Sequence, residues 1–437
     1  MTEKITIPLF IAKEKQGTYF TLPFTVPSNV ESFTLTYHYE RRPKKQSSVG
    51  TSSFISRPRL NTIDLGLIAP DGTQVGASGS DKTEITISET GSTPGYRAYP
   101  IVAGEWKILI GAYEVASEGV DVTYEITFIP KRLRMLKGDL HTHTLASDGV
   151  HTAEELGWKA LRNGLDFLAI TDHNQMVTPD ALPKGIGVTF IPGVEWTHYM
   201  CHANFLGSEK PYDQPFATNS LDETLERFHS ARERGALITI NHPFEEVAKL
   251  YYDINSLIFD CLEIWNGPMR EANLKAVGLW HNLLCAGKKI PITGGSDYHR
   301  DTPFIFLGGP TTCVYAPSAS SKDILVAIKQ GHVFLTFSPT GPTAILTAGE
   351  ALMGDSVPWD ARREMHIAIE DLLAGDVVKV ITANGGDLLL QAPTDGDYQA
   401  SYTMKQPGFA RVEVYRAFLP GLPMLPALIT NPIYFDD

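Results

Sequence analysis

The feature that most constrains the fold is a strand–helix–strand pattern that recurs between residues 136 and 340. Thr152 and Glu155 have the spacing of a capping box, and a helical period of apolar residues follows them as far as Gly164. Predicted helices begin after Thr152, after Ser220 and at Glu271, and they precede apolar strands at 167–170, 236–240 and 290–292. Apolar strands that alternate with helices form parallel sheets, so the sequence predicts β/α units and a small β/α barrel.

The segments on either side of this pattern favour β structure. Short runs alternate apolar and polar side chains and are separated by turn residues, as at 32–37, 62–68, 83–87, 106–110, 122–128, 365–369, 377–381 and 410–415. We therefore expect an N-terminal β-sandwich at 1–131, a β/α barrel at 132–340 and a C-terminal β-sandwich at 341–437.

Composition excludes several classes of protein. The chain has no stretch of about 18 apolar residues, and residues 1–19 lack the apolar core of a signal peptide, so we expect a cytoplasmic protein without a membrane span. The net charge of −13 argues against binding to a phosphate backbone, and the single basic run at 41–45 is interpreted as a solvated loop. No nucleic-acid partner is expected. The four cysteines are far apart, which excludes a cysteine-rich zinc site.

Histidine and carboxylate residues follow the predicted strands of the β/α region. They include His141, His143, His173, Glu195, His202, His242, Asp297 and His299. The carboxyl ends of barrel strands carry the active site, and residues two apart in an extended chain point to the same side. Imidazole and carboxylate donors without thiolate suit Zn²⁺, Mn²⁺ or Fe²⁺, and the donor set does not choose among them. His198 also follows Glu195 closely, but we prefer His202 as the ligand.

Several short motifs, taken in the order in which they occur along the chain, resemble those of the polymerase-and-histidinol-phosphatase (PHP) superfamily. They are His141-Thr142-His143-Thr144, Ser147-Asp148-Gly149, Thr171-Asp172-His173-Asn174, Pro192-Gly193-Val194-Glu195, Asn241-His242-Pro243 and Gly295-Ser296-Asp297-Tyr298-His299. Three further stretches, at 201–207, 263–267 and 430–434, resemble its carbaryl-hydrolase-like branch. The resemblance implies a distorted (β/α)7-type barrel, with one strand fewer than the usual eight, and up to three bound metals.

The resemblance also implies a ligand set for each metal. His141, His143, Glu195 and Asp297 would hold the first, Glu195, His202 and His242 the second, and Asp148, His173 and His299 the third. Many members of the superfamily have histidine where this chain has Asp148, so both two and three divalent ions stay open. Asp172 is expected to point away from His173 and to support the structure.

Paired divalent ions indicate a hydrolase that uses a metal-bridging hydroxide. We expect Glu195 to bridge the metals, Asp297 to act as ligand and base, and Arg300 to clamp an anion, although a plain surface arginine is an equal alternative. A small-molecule phosphate ester is the favoured substrate. A carbamate, ester or amide hydrolase on the same metals is the alternative enzyme, and a non-catalytic binding protein with a degenerate site is the alternative of another class. The oligomeric state is left open.

Overall fold

The computed structural model describes residues 3–41, 61–208, 210, 212, 214–359 and 363–436. Most of the basic run, residues 42–45, therefore lies outside the described residues. The chain divides into two compact units, Met1–Arg132 and Leu133–Asp437. The predicted boundary at 131/132 lies beside this division, whereas the predicted boundary at 340/341 falls inside the second unit.

The first unit consists of two four-stranded antiparallel sheets. Its strands are β1 (Glu3–Ile11), β2 (Thr18–Val26), β3 (Val30–Tyr39), β4 (Thr62–Ile68), β5 (Gln74–Ser78), β6 (Glu84–Ser88), β7 (Gly104–Glu114) and β8 (Val120–Pro130). The strand orders are β1-β8-β3-β6 and β2-β7-β4-β5. Alternate side chains of each sheet enter one shared apolar core, where Phe33 packs edge-on against Trp106 at 5.2 Å between ring centres. This arrangement is a β-sandwich.

The second unit begins with the β/α region. Its elements are β9 (Arg134–Asp139), α1 (Ala153–Arg162), β10 (Phe167–Ile170), β11 (Thr189–His198), β12 (Cys201–Leu206), α2 (Leu221–Glu233), β13 (Leu237–Ile240), β14 (Cys261–Asn266), α3 (Glu271–Cys285), β15 (Ile292–Gly295), β16 (Thr311–Ala316), α4 (Ser321–Gln330) and β17 (Val333–Thr336). The predicted capping box is confirmed, since Thr152 accepts from the Glu155 N–H and donates its own N–H to the Glu155 carboxylate at 2.8 Å. Within the described residues, no helix combines the length and apolar character that a membrane span needs.

Strands β9 to β15 are hydrogen-bonded neighbours in chain order. The pairs are parallel except those of β12, which runs antiparallel to both β11 and β13. Beyond the carboxyl ends of β9 and β15, Thr142 and Tyr298 form an isolated parallel bridge. The mixed α/β class is confirmed, and the seven-stranded barrel remains a prediction. The antiparallel β12 was not predicted.

The C-terminal strands complete the second unit. They are β18 (Thr343–Ala348), β19 (Ala351–Leu352), β20 (Ser356–Pro358), β21 (Glu364–Leu372), β22 (Val377–Thr382), β23 (Gly385–Gln391), β24 (Gly396–Thr403), β25 (Gly408–Arg416), β26 (Leu425–Thr430) and β27 (Ile433–Asp436). Strands β19-β18-β21-β24 form one sheet. The others extend the β/α sheet, because β26 pairs with β17 and β16 pairs with β9. Cys313 and Phe334, from β16 and β17, accordingly lie in the C-terminal apolar core.

Candidate metal centre

Glu195 lies at the centre of a cluster formed by the carboxyl-end loops and strands. Its side chain is 1% exposed. Atom Oε1 lies 3.0 Å from His202 Nδ1, 3.3 Å from His242 Nε2 and 3.4 Å from His141 Nε2. Atom Oε2 lies 2.8 Å from His173 Nδ1 and 3.6 Å from His143 Nε2. One carboxylate thus faces five imidazoles from four different strand ends.

Asp297 forms the second carboxylate of the cluster, and its side chain is 28% exposed. Its Oδ1 lies 3.0 Å from His143 Nε2 and 3.4 Å from His141 Nε2. Asp297 has a φ of 52°, in the left-handed region that a non-glycine residue adopts only when its surroundings hold it there. The backbone after β15 therefore turns sharply at the residue that delivers this carboxylate.

The three ligands predicted for the third metal, Asp148, His173 and His299, form the outer part of the cluster. Asp148 Oδ1 lies 3.1 Å from His299 Nε2 and 3.6 Å from His173 Nε2. The Asp148 side chain is 59% exposed, in contrast to the buried Glu195. The outer part therefore opens to solvent, where a substrate can approach.

The donor atoms meet the requirements of divalent ions. Four groups of side chains place one donor atom each within 4.8 Å of one another; they are His143, Asp148, His173 and His299; His141, His143 and Glu195; His141, His242 and Asp297; and Glu195, His202 and His242. His141 Nε2, His143 Nε2, Glu195 Oε2 and Asp297 Oδ1 are buried, and although they lie close to one another, none makes a well-aligned hydrogen bond among the described residues. Buried polar atoms are normally paired, so these four fit metal ligands.

The predicted ligand sets can be compared with these groups. The set for the second metal appears as one group, and the set for the third appears together with His143. The set for the first metal is divided between two groups, one with Glu195 and one with Asp297. The structure thus brings all nine predicted ligands together, and their assignment to individual ions remains a prediction.

The buried charges shift each other's pKa. Burial alone would raise the pKa of the Glu195 carboxyl, but the histidines around it, His141 first, hold that pKa well below its usual value. The pKa of Asp297 is likewise lowered, because His141 and His143 outweigh its burial. Burial would lower the pKa of His141, but Asp297, Glu263 and Glu195 raise it well above 6.5. Both carboxylates are therefore ionised at neutral pH, as metal ligands must be.

Glu263, which sequence reasoning did not assign to the site, orients two of these histidines. Its Oε1 lies 3.0 Å from His141 Nδ1, and its Oε2 accepts the His242 backbone N–H at 2.9 Å. The contact with Nδ1 fixes the tautomer and the ring orientation of His141, and the bond to the N–H fixes the backbone that carries His242. The sequence contained one signal for Glu263, a glutamate inside the apolar run Cys261–Asn266. Site residues were expected only after the predicted strands, and Glu263 lies inside a strand.

Two aspartates fix the loops that carry the ligands. The Asp172 carboxylate accepts the Thr144 N–H, the Thr144 hydroxyl and the Ser147 hydroxyl, each at 2.7 Å, as expected for a structural group. Asp139 was not predicted. Its buried carboxyl accepts the His141 N–H at 3.2 Å and the Ser296 N–H at 3.0 Å, and burial raises its pKa to about 6. It therefore joins the end of β9 to the end of β15.

Two other residues considered in the sequence, Arg300 and His198, have different surroundings. Arg300 is exposed, and no hydrogen bond or ion pair joins its guanidinium to another described residue, so its role as an anion clamp remains a prediction. His198 is buried, with Nε2 at 3.0 Å from the Thr218 carbonyl and Nδ1 accepting the Met200 N–H at 3.2 Å. Both ring nitrogens of His198 are thus used by the backbone, in agreement with the preference for His202.

Comparisons with known proteins give partial sequence similarities. No protein-family model matches the chain. The chain is 32% identical over 155 residues to the 5'-3' exoribonuclease Rnm of Salmonella typhimurium, covering 33% of this chain and 45% of that protein. It is 36% identical over 63 residues to the DNA polymerase/3'-5' exonuclease PolX of Bacillus subtilis, covering 14% of this chain and 11% of that protein. The chain thus spans less than half the length of these curated relatives.

Two solved structures show low overall similarity. One is a two-domain protein from Bacteroides vulgatus described as containing a predicted PHP-like metal-dependent phosphoesterase, with 18% identity and a TM-score of 0.41, covering 70% of this chain and 97% of that chain. The other is an amidohydrolase from Chromobacterium violaceum with bound sulfate and no metal, with 16% identity and a TM-score of 0.30, covering 38% of this chain and 89% of that chain.

Proposed function

We propose that the chain is a PHP-type metal-dependent hydrolase that cleaves a small-molecule phosphate ester. One observation carries the proposal: a buried carboxylate, Glu195, lies within 3.6 Å of five imidazoles, and four buried atoms of the same cluster make no well-aligned hydrogen bond among the described residues. Such a donor set suits two or three ions of Zn²⁺, Mn²⁺ or Fe²⁺. The ordered motifs and the partial similarity to Rnm support the same reading.

Divalent ions held here would lower the pKa of a bound water and neutralise charge that develops on oxygen during hydrolysis. The chain's own residues then divide the remaining work. Asp297 is ionised and lies against His141 and His143, and we assign it the roles of ligand and of base toward the attacking water. Glu195 holds the buried histidines in one geometry. Asp148, His173 and His299 lie on the exposed side, where the phosphate and its leaving group enter.

The nature of the substrate rests on two arguments. The relatives with named activities are a ribonuclease and a polymerase/exonuclease, which act on phosphodiesters. The net charge of −13 disfavours a long polyanion, so we propose a small ester and no nucleic-acid partner. A carbamate, ester or amide hydrolase is the second candidate, because the stretches 201–207, 263–267 and 430–434 resemble the carbaryl-hydrolase-like branch, and an activated water attacks carbon as well as phosphorus.

A substrate panel tests the proposal. Metal-replete protein is assayed with a chromogenic phosphomonoester, a phosphodiester, an aryl carbamate and a short oligoribonucleotide. We expect turnover of a small phosphate ester that a chelator abolishes and added metal restores. His366→Ala is the matched control for a site histidine, because His366 is exposed and bonds Ser401 in the C-terminal sheet. Turnover of the carbamate alone would favour the second candidate. Cleavage of the oligoribonucleotide alone would show that the substrate is a nucleic acid and not a small ester. No turnover of any substrate with metal bound would favour a binding protein.

A further inference from the structure

The rim of the cluster contains a cationic group that the motifs do not include. Arg270 precedes α3, just beyond the carboxyl end of β14. Its Nη2 lies 3.2 Å from Asn266 Oδ1 and 2.8 Å from Glu245 Oε2. Glu245 itself lies three residues after His242. The guanidinium therefore contacts residues that follow two different ligand-bearing strands, at the border of the metal centre.

A buried amide connects this guanidinium to the reacting end of the cluster. Asn266 is 2% exposed, and its Nδ2 donates to Asp297 Oδ2 at 3.4 Å and to Glu263 Oε2 at 3.3 Å. Asn273 holds the Asn266 backbone on both sides, accepting its N–H at 3.1 Å and donating to its carbonyl at 2.9 Å. One side-chain amide, that of Asn266, therefore lies between the Arg270 guanidinium and the Asp297 carboxylate.

Most of the donors of Arg270 remain available. Both contacts use Nη2, and Nε and Nη1 have no hydrogen-bond or ion-pair partner among the described residues. The side chain is 41% exposed, so these donors are accessible from solvent. A guanidinium carries five N–H donors and suits phosphate oxygens. Glu195, Asp297 and Asp148 give the site an acidic character, which an anionic substrate must overcome.

We propose that Arg270 is the side chain that binds the anionic group of the substrate beside the metal centre, and that Glu245 holds the guanidinium in place while competing with the anion. This inference rests on the proposed phosphate-ester function and deepens it. It assigns to Arg270 the anion-binding role that the sequence gave to Arg300. It also predicts opposite effects for the two partners of one ion pair.

The affinity of metal-replete protein for inorganic phosphate tests the proposal by calorimetry. We expect Arg270→Gln to weaken phosphate binding at least about ten-fold, as for the loss of a hydrogen bond to a charged group. We expect the phosphate affinity of Arg270→Lys to be intermediate, because lysine keeps the positive charge but lacks the planar set of N–H donors of a guanidinium. Glu245→Gln should tighten phosphate binding, because it removes the competing charge. Arg162→Gln, which removes an exposed arginine at the end of α1, is the control and should change nothing.

Metal content and thermal melting of each variant separate binding from folding. A loss of phosphate affinity of the same size in Arg270→Gln and Glu245→Gln would overturn the proposal, because the pair would then be structural. Unchanged phosphate affinity in Arg270→Gln would overturn it as well. The proposed function fails by a different result, the absence of ester turnover in a wild-type protein that binds metal and phosphate.

Discussion

The contacts of Glu263 predict that this side chain controls metal affinity without binding the metal. The substitution Glu263→Gln keeps the shape of the side chain and removes its charge. The carboxylate lies 3.0 Å from His141 Nδ1 and accepts the His242 N–H at 2.9 Å, so one change loosens two ligands. Removal of such a supporting hydrogen bond weakens metal binding by roughly 10–100-fold, or about 1.4–2.7 kcal/mol.

Competition with a chromogenic chelator measures this effect. Metal-free wild-type and variant proteins are titrated with Zn²⁺ or Mn²⁺, and the dissociation constants are compared. Glu154→Gln is the matched control, because Glu154 is an exposed glutamate in the first turn of α1. Circular dichroism verifies that each protein is folded. An affinity of Glu263→Gln within about two-fold of wild type would refute the reasoning, since loss of an orienting partner changes affinity by at least ten-fold.

Three other changes have defined outcomes. His141→Ala should lower turnover at least several hundred-fold with the fold intact by circular dichroism, since it removes a ligand that faces both Glu195 and Asp297; retained activity would place the site elsewhere. Asp148→Asn should weaken one ion selectively in a metal titration, because a neutral amide is a poorer donor than a carboxylate; an unaltered metal count with a lower melting temperature would make Asp148 structural. Metal affinity should rise from pH 6 to pH 8: burial lowers the pKa of His141 and His242, but the neighbouring carboxylates raise it overall, so that protons compete with metal at the lower pH. In the metal-free protein the same protonated histidines stabilise the fold below pH 6.5, and this stabilisation is lost as the pH rises through their raised pKa. A metal affinity that does not depend on pH would contradict this account.

Local signals were sufficient for the elements that position the site. The capping residues Thr152 and Ser220 mark the starts of α1 and α2, where each side chain accepts the N–H three residues on. The expectation that site residues follow the strands brought together eight side chains, because parallel strands deliver their following residues to one edge, and the ninth, Asp148, came from the family resemblance. It also included Glu195 and His202, which lie inside β11 and β12, but it missed Glu263, which lies inside β14.

Other features depend on contacts that are distant in sequence. Strand β12 was missed because β11 continues to His198, and the turn at Tyr199 and Met200 contains no glycine, proline or asparagine. The C-terminal strands were predicted as strands, but their alternating pattern does not specify a partner. The pairing of β26 with β17, with Ile429 opposite Leu335, is what joins them to the β/α sheet. Arg270 carried no signal of its own, because its role follows from contacts with Asn266 and Glu245.

The central claim is that this cluster holds more than one metal ion, and elemental analysis tests it most directly. Purified wild-type protein is loaded with Zn²⁺ or Mn²⁺, passed through a desalting column and analysed for metal and protein in the same sample. Because the donors form four overlapping groups, two of which contain Glu195, we predict at least two divalent ions per chain. One ion per chain, or none, in fully loaded protein would contradict the multinuclear centre and the proposed hydrolysis that depends on it.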